Sequence, residues 1–158
     1  MNISNPCQCQ SECKTKRCAC LKNGQACTDQ CQCQQCNNPF NQIDAAVQLS
    51  DCARQNIKKV IALSDLTLNE EYELPCGCAS VPLKGLLENY TCQGCDEPYY
   101  YSFCFHEVMD TNSMWHCGVC GTCSDDGVWH CRHCNKCTYG LTLRCDNCGK
   151  KSPYDPRS

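Results

Sequence analysis

Twenty-three cysteines in 158 residues, set mostly one or two residues apart, and a shortage of large apolar side chains predict a small metal-dominated fold, irregular with short hairpins. Leu, Ile, Val and Phe together number only 24, too few for burial alone to hold a chain of this length. Cohesion must come from disulfides or from metal. Three observations favour metal. No apolar stretch follows Met1 in the manner of a secretory leader, so nothing points to an oxidising compartment. The C-x-C and C-x2-C pairs suit two sulfurs gripping one ion, whereas the thiols of a C-x-C are poorly placed to bridge each other. His106, His116, His130 and His133 are interleaved with the later cysteines. The expected setting is a reducing intracellular compartment. No run of about 18 apolar residues is present, so no membrane span is expected.

In chain order, the expected parts are a multinuclear zinc cluster in residues 1–40, one linking helix in 41–74, an array of zinc-knuckle and ribbon modules in 75–149, and a disordered tail in 150–158 containing Pro153 and Pro156. In the first part, Cys7, Cys9, Cys13, Cys18, Cys20, Cys27, Cys31, Cys33 and Cys36 read C-x-C-x3-C-x4-C-x-C-x6-C-x3-C-x-C-x2-C and run directly into Asn37, Asn38 and Pro39. Zinc takes four ligands tetrahedrally, so nine thiolates satisfy three ions only if three sulfurs bridge. Lys14, Lys16, Arg17 and Lys22 stand against Glu12 and Asp29 here. With the thiolates and three Zn²⁺ counted, the part is close to neutral. Nucleic-acid binding would have to come from focused placement of those four cations, not from a general basic field.

This cysteine string resembles the CXC domain of the tesmin/TSO1 (CRC) family, and the related CXC module of the male-specific-lethal dosage-compensation ubiquitin ligase type, over residues 7–39. The resemblance implies a trinuclear zinc knot that binds DNA, and with it a nuclear, chromatin-associated role. Two features depart from tesmin-type chains: one copy is present instead of two, and Arg17, not Tyr, precedes Cys18. The Arg is closer to the dosage-compensation type. By that resemblance Arg17 would read base edges or groove width. Lys14, Thr15 and Lys16 would contact phosphates, with Lys22 beside them. Two plainer readings compete. Residues 14–17 could form a solvated loop that offsets thiolate charge, or the cysteines could store metal as in metallothioneins. Leu21, Pro39 and Phe40 argue against storage, because they suggest a specified fold.

The linking helix rests on Ile43, Val47, Ala53, Ile57, Val60 and Ile61, a broken 3.6-residue stripe in a segment free of Gly and Pro. Ser50 or Asp51 would cap a restart, and Ser64–Asp65 would begin another turn. The stripe is expected to pack on a zinc module; a partner-binding helix is the sharper alternative. Cys52 is read as a small buried hydrophobe or a free thiol, not a ligand.

The third part holds Cys76, Cys78, Cys92, Cys95 and Cys104, then an internal repeat. Trp115–His116 precedes Cys117, Cys120 and Cys123; Trp129–His130 precedes Cys131, Cys134 and Cys137, one 14-residue step later. Cys145 and Cys148 close the array in the manner of a zinc-ribbon knuckle. The H-C-x2-C-G-x-C start, the aromatic-H-C-x2-C-N-x-C middle and Leu141 are similar to the CTCHY zinc finger of CHY-type ubiquitin ligases, and Cys92-x2-Cys95 to its opening pair. The ordinary RING of that family does not follow, so the resemblance implies a zinc scaffold. Ligand pairing stays open. Cys76, Cys78, Cys104 and His106 can form one site interleaved with Cys92, Cys95, Cys117 and Cys120, or Cys76, Cys78, Cys92 and Cys95 can form one in sequence. The remaining ligands would make two further sites. Cys is preferred over the adjacent His at 116–117 and 130–131; His106 and His130 are placed in the ligand set, and His133 is read as an ordinary surface residue. Tyr99, Tyr100, Tyr101, Phe103, Phe105, Trp115 and Trp129 are expected as small cores under the sites.

About six or seven zinc ions are expected, three of them in the CXC module. Catalysis is not expected: the ligands suffice to fill every site, and no H-E-x-x-H is present. The favoured function is a zinc-binding nuclear protein that contacts DNA through its CXC module and another protein through its C-terminal array. The alternatives are a ubiquitin-pathway factor with degenerate RING or CTCHY fingers, and a structural subunit with no DNA contact.

Overall fold

The structure, a computed structural model, describes residues 6–157. Its helices are short, and side chains cap the starts of three of them. The Cys18 side chain accepts from Leu21 N–H at the start of α1 (Ala19–Lys22). A single 3₁₀ turn spans Pro39–Gln42, entered through Asn38. The segment expected as one linking helix is three: α2 (Asp51–Gln55), α3 (Ile57–Ile61) and α4 (Asp65–Leu68). Ser50 and Ser64 cap α2 and α4 through their hydroxyls, as the sequence suggests. Asn56, at φ −97° and ψ 27°, ends α2 and starts α3, so the apolar stripe cannot continue as one rod.

Paired hairpins make up the rest. Strand β1 (Glu71–Glu73) pairs antiparallel with β2 (Ser80–Pro82), and α5 (Leu83–Leu86) follows. A three-stranded sheet has β4 (Pro98–Ser102) between β3 (Tyr90–Thr91) and β5 (Glu107–Asp110). Two further hairpins, β6 (Met114–Cys117) with β7 (Thr122–Asp125) and β8 (Val128–Cys131) with β9 (Lys136–Tyr139), have matching registers. His116 lies opposite Cys123, and His130 opposite Cys137. The sequence repeat is thus a repeat of one hairpin.

Composition suggests no substantial oily interior, yet one forms where the middle segment meets β4. Ala53, Ile57, Val60, Leu74, Leu83 and Leu86 are buried against Tyr99, Tyr100, Tyr101 and Phe103. The edge-to-face pair Tyr72–Tyr101, centroids 5.3 Å apart, ties β1 to β4, and Tyr101–Phe103, 5.2 Å apart, packs along the end of β4, each adding about 1 kcal/mol beyond burial. The segment is therefore core, not linker. Phe105 does not belong to it, being 48% exposed, because it sits on the tip of the β4–β5 hairpin. Residues 150–157 are also not placed as a loose tail. Lys150 O accepts from Cys145 N–H at 2.8 Å, and the buried Ser152 hydroxyl donates to Leu141 O.

Asn37-Asn38-Pro39-Phe40 joins the N-terminal cysteines to this core. Asn38 is buried and fully used: its amide donates to Gln25 O (2.8 Å) and Cys27 Sγ (3.3 Å), and its Oδ1 accepts from Phe40 N–H (3.0 Å). Phe40 then enters the core. Arg54 of α2 makes a second tie, donating Nη1–H to Gly24 O at 3.0 Å. Gly24 stands at φ +67°, and a β-carbon there would lie 2.7 Å from Arg54 Cδ, so glycine is needed for both conformation and space.

Candidate metal centres

All 23 cysteines are free thiols. Their spacing separates metal from disulfide chemistry. A disulfide brings sulfurs to about 2.0 Å, whereas four thiolates at about 2.3 Å from one tetrahedral zinc lie about 3.8 Å apart. The sulfurs of Cys7 and Cys27 are 3.8 Å apart, Cys20 and Cys31 3.6 Å, Cys76 and Cys92 3.8 Å, Cys131 and Cys148 3.6 Å, and Cys134 and Cys145 3.6 Å. The donors therefore fit a metal ion.

In the N-terminal part the groups overlap. Cys7, Cys20, Cys27 and Cys31 form one; Cys7, Cys13, Cys18 and Cys27 a second; Cys13, Cys27, Cys33 and Cys36 a third. Cys7, Cys13 and Cys27 recur, and Cys9 lies beside Cys13 with its sulfur 3.2 Å from the Ser11 hydroxyl. Cys13 and Cys18 are wholly buried. In this part the sulfurs themselves are the core.

Beyond residue 40 the groups are separate. Cys76, Cys78, Cys92 and Cys95 come together, so the sequential pairing holds and the interleaved alternative with Cys104 and His106 does not. The next group is Cys52, Cys104, His116 and Cys123. His116 Nδ1 is 3.6 Å from Cys104 Sγ and 3.3 Å from Cys123 Sγ, and Cys52 Sγ is 3.7 Å from Cys123 Sγ. His130 Nδ1 lies 3.4 Å from both Cys117 and Cys120 and 3.8 Å from Cys137. Cys131, Cys134, Cys145 and Cys148 converge last. Each repeat hairpin thus sends its knuckle pair to one group and its cross-strand His–Cys pair to the preceding one.

Two expectations are corrected by this geometry. Cys52 belongs to a group of three cysteines and one histidine and is not an isolated thiol. His116, not His106, supplies that group's imidazole. The cause is a knuckle-shaped turn without sulfurs at its ligand positions. Knuckles in this chain close with residue i+4 in the left-handed region and its N–H on carbonyl i: Asp96 on Cys92, Gly121 on Cys117 and Gly149 on Cys145, each at 2.8 Å. His106, at φ 57°, makes the same bond to Ser102. Ser102 and Phe105 therefore occupy the two ligand positions. Ser102 Oγ accepts from Phe105 N–H at 3.2 Å as Cys117 Sγ accepts from Cys120 N–H at 3.4 Å. His106 is left exposed past the turn. Cys104, inside the turn, and Cys52, from α2, make up the missing donors. His133 is exposed, as expected.

Backbone N–H groups and hydroxyls prepare these sulfurs for a cation. The neighbouring Cys52 thiol, opposed by burial and helped by the Ser102 and Tyr100 hydroxyls and His116, brings Cys123 down to about 4. The same contact and burial push Cys52 up. The Cys78 backbone N–H and then the Tyr99 hydroxyl lower Cys76 to about 6. Burial works against Cys145, yet the N–H groups of Asn147 and Cys148 bring it to about 6. An easily formed thiolate in each of these three groups favours capture of a first cation.

Gln55, on α2 three residues after Cys52, fixes the His116 ring. Its Oε1 accepts from His116 Nε2–H, and its Nε2–H donates to Gly118 O at 2.8 Å. That leaves Nδ1 as the free lone pair facing the sulfurs. His130 Nε2, by contrast, is buried without a partner among the described residues. Gln55→Ala is expected to weaken metal binding at the Cys52 group by about 10- to 100-fold. Chelator competition should show one weakened ion per chain, and Gln55→Glu should restore it.

The residues expected at DNA are at the surface: Lys14, Thr15, Lys16, Arg17 and Lys22 are all exposed. Lys14 pairs with Glu12. Lys16, Arg17 and Lys22 have no ion-pair partner among the described residues. No described helix is long and apolar enough to cross a membrane.

These features define a class: a small chain of short helices and antiparallel hairpins whose cysteine-rich parts form several groups suited to metal ions, some of four cysteines and others of three cysteines with a histidine. No family model, curated protein or solved structure matches it.

Proposed function

We propose that the chain is a zinc-binding nuclear protein that contacts DNA through residues 7–36 and presents its C-terminal hairpin array to a protein partner. Three zinc ions fit the nine N-terminal sulfurs if Cys7, Cys13 and Cys27 bridge, with Cys9 completing the group around Cys18. Four more fit the separate groups. Four donors per ion close a tetrahedral shell, which is structural rather than catalytic coordination. The observation that carries the DNA reading is the exposed loop between Cys13 and Cys18, where Lys16 and Arg17 stand without ion-pair partners among the described residues on a sulfur-cored support. The CXC resemblance of residues 7–39 agrees with it. Support for a protein partner comes from an open cleft of about 980 Å³ by the last hairpins, where Val119 is 66% and Tyr154 61% exposed.

In a gel shift with the full zinc-loaded chain and duplex DNA, Arg17→Ala is expected to weaken binding about 5- to 150-fold, the loss of about 1–3 kcal/mol that one groove contact carries. Equal binding by wild type and variant would remove Arg17 from the interface.

A further inference from the structure

The proposed DNA face contains only residues near the cysteine knot, but the fold sets a second basic segment beside it. A groove of about 820 Å³ runs between the N-terminal part and helices α2 and α3. Lys14, Lys16 and Lys22 line one wall; Arg54, Lys58 and Lys59 line the other. Six of the chain's 14 basic side chains thus meet in one groove, with a single acid, Asp51, of its 17. This runs against the chain's formal charge of −3.

The six cations have different roles. Arg54 is a strut, with Nη1–H on Gly24 O and Nη2–H on Leu49 O, so it holds the two walls together. Lys14 is engaged by Glu12. Lys16, Lys22, Lys58 and Lys59 are exposed and have no ion-pair partner among the described residues. Four unpaired ammonium groups facing one space repel one another, and a polyanion relieves that repulsion.

We infer that the groove is a track for the phosphodiester backbone of duplex DNA, with Lys58 and Lys59 of α3 extending the contact begun by the N-terminal loop; this rests on the DNA reading above. The lining selects among polyanions. None of the exposed large apolar side chains among the described residues borders the groove, whereas a protein interface is built on an apolar centre. Its aromatic rings, Phe40 and His116, are both buried, so neither offers a platform for stacking the bases of a single strand. Lysines, with the Asn23 amide beside them, suit phosphates held without base readout.

The test uses the full zinc-loaded chain and a short fluorescein-labelled duplex, with affinity read by anisotropy between about 50 and 200 mM salt. The variants are Lys58→Gln/Lys59→Gln, Lys16→Gln, and Lys150→Gln/Lys151→Gln as a charge-matched control away from the groove. Zinc content and circular dichroism confirm that each is folded. The Lys58/Lys59 variant is expected to lower the slope of log affinity against log salt by about 1.8, or about 0.9 for each phosphate no longer neutralised, with the control unchanged. If wild type binds, Lys16→Gln weakens it and the Lys58/Lys59 slope matches wild type, the track is refuted while the DNA reading stands. If wild type does not bind the duplex, both fail. Tighter binding to polyglutamate than to duplex would assign the groove to an acidic protein and overturn the inference.

Discussion

Stripping the metal exhaustively under reducing conditions is expected to unfold the chain. The sulfurs of residues 7–36 have no apolar core to fall back on, since the buried residues there are the cysteines themselves. Without ions, those thiols become closely spaced groups with mutual repulsion when ionised and weak contacts when not. A structural zinc contributes about 10–16 kcal/mol to folding in small zinc modules, while a whole domain is stable by only about 5–15 kcal/mol. Loss of one ion is therefore comparable to total stability. The central core of α2, α3, α5 and β4 has its own buried side chains, so helical circular dichroism should fall less than the near-ultraviolet signal of Trp129, which packs on the sulfurs of Cys131 and Cys145. An unchanged near-ultraviolet spectrum after complete chelation would refute a metal-held fold.

Replacing Cys52 by Ala is the second large effect. If Cys52 were only a small core residue, the change would cost about 1 kcal/mol and leave the metal count intact. As a member of the group with Cys104, His116 and Cys123, its loss leaves three donors around an ion inside the core. Native mass spectrometry should then show one ion fewer than wild type. Thermal unfolding should also shift by far more than a cavity explains, because α2 loses its tie to the fingers. Retention of every ion with a shift of a few degrees would return Cys52 to the ordinary core.

These two residues, Cys52 and His116, also mark where the sequence stops being readable. Cysteine spacing alone delimits the N-terminal cluster, because C-x-C pairs act locally. The serine caps at Ser50 and Ser64 are equally legible, since a cap needs only its own helix. The repeat is visible too, but not its consequence. Hairpin register places His116 opposite Cys123 and His130 opposite Cys137, so each pair serves the preceding knuckle, a relation that spans strands. One step before Cys117, that knuckle carries Ser102 and Phe105 in place of sulfur, and its replacement comes from a helix about fifty residues earlier. A ligand count offers the one available signal. Fourteen cysteines follow residue 40, and two histidines bring them to sixteen, four full sets, only if Cys52 is included. Lys58 and Lys59 are silent in the sequence for a similar reason: nothing in a helical stripe reports that its polar side faces another module's cations.

The hairpin array also bears on mechanics. His116 and Cys117 are consecutive residues serving different groups, and so are His130 and Cys131. With an ion in each group, successive ions would be joined through a single peptide unit. Metal loading would then remove the slack between neighbouring hairpins and turn the array into a stiff bar.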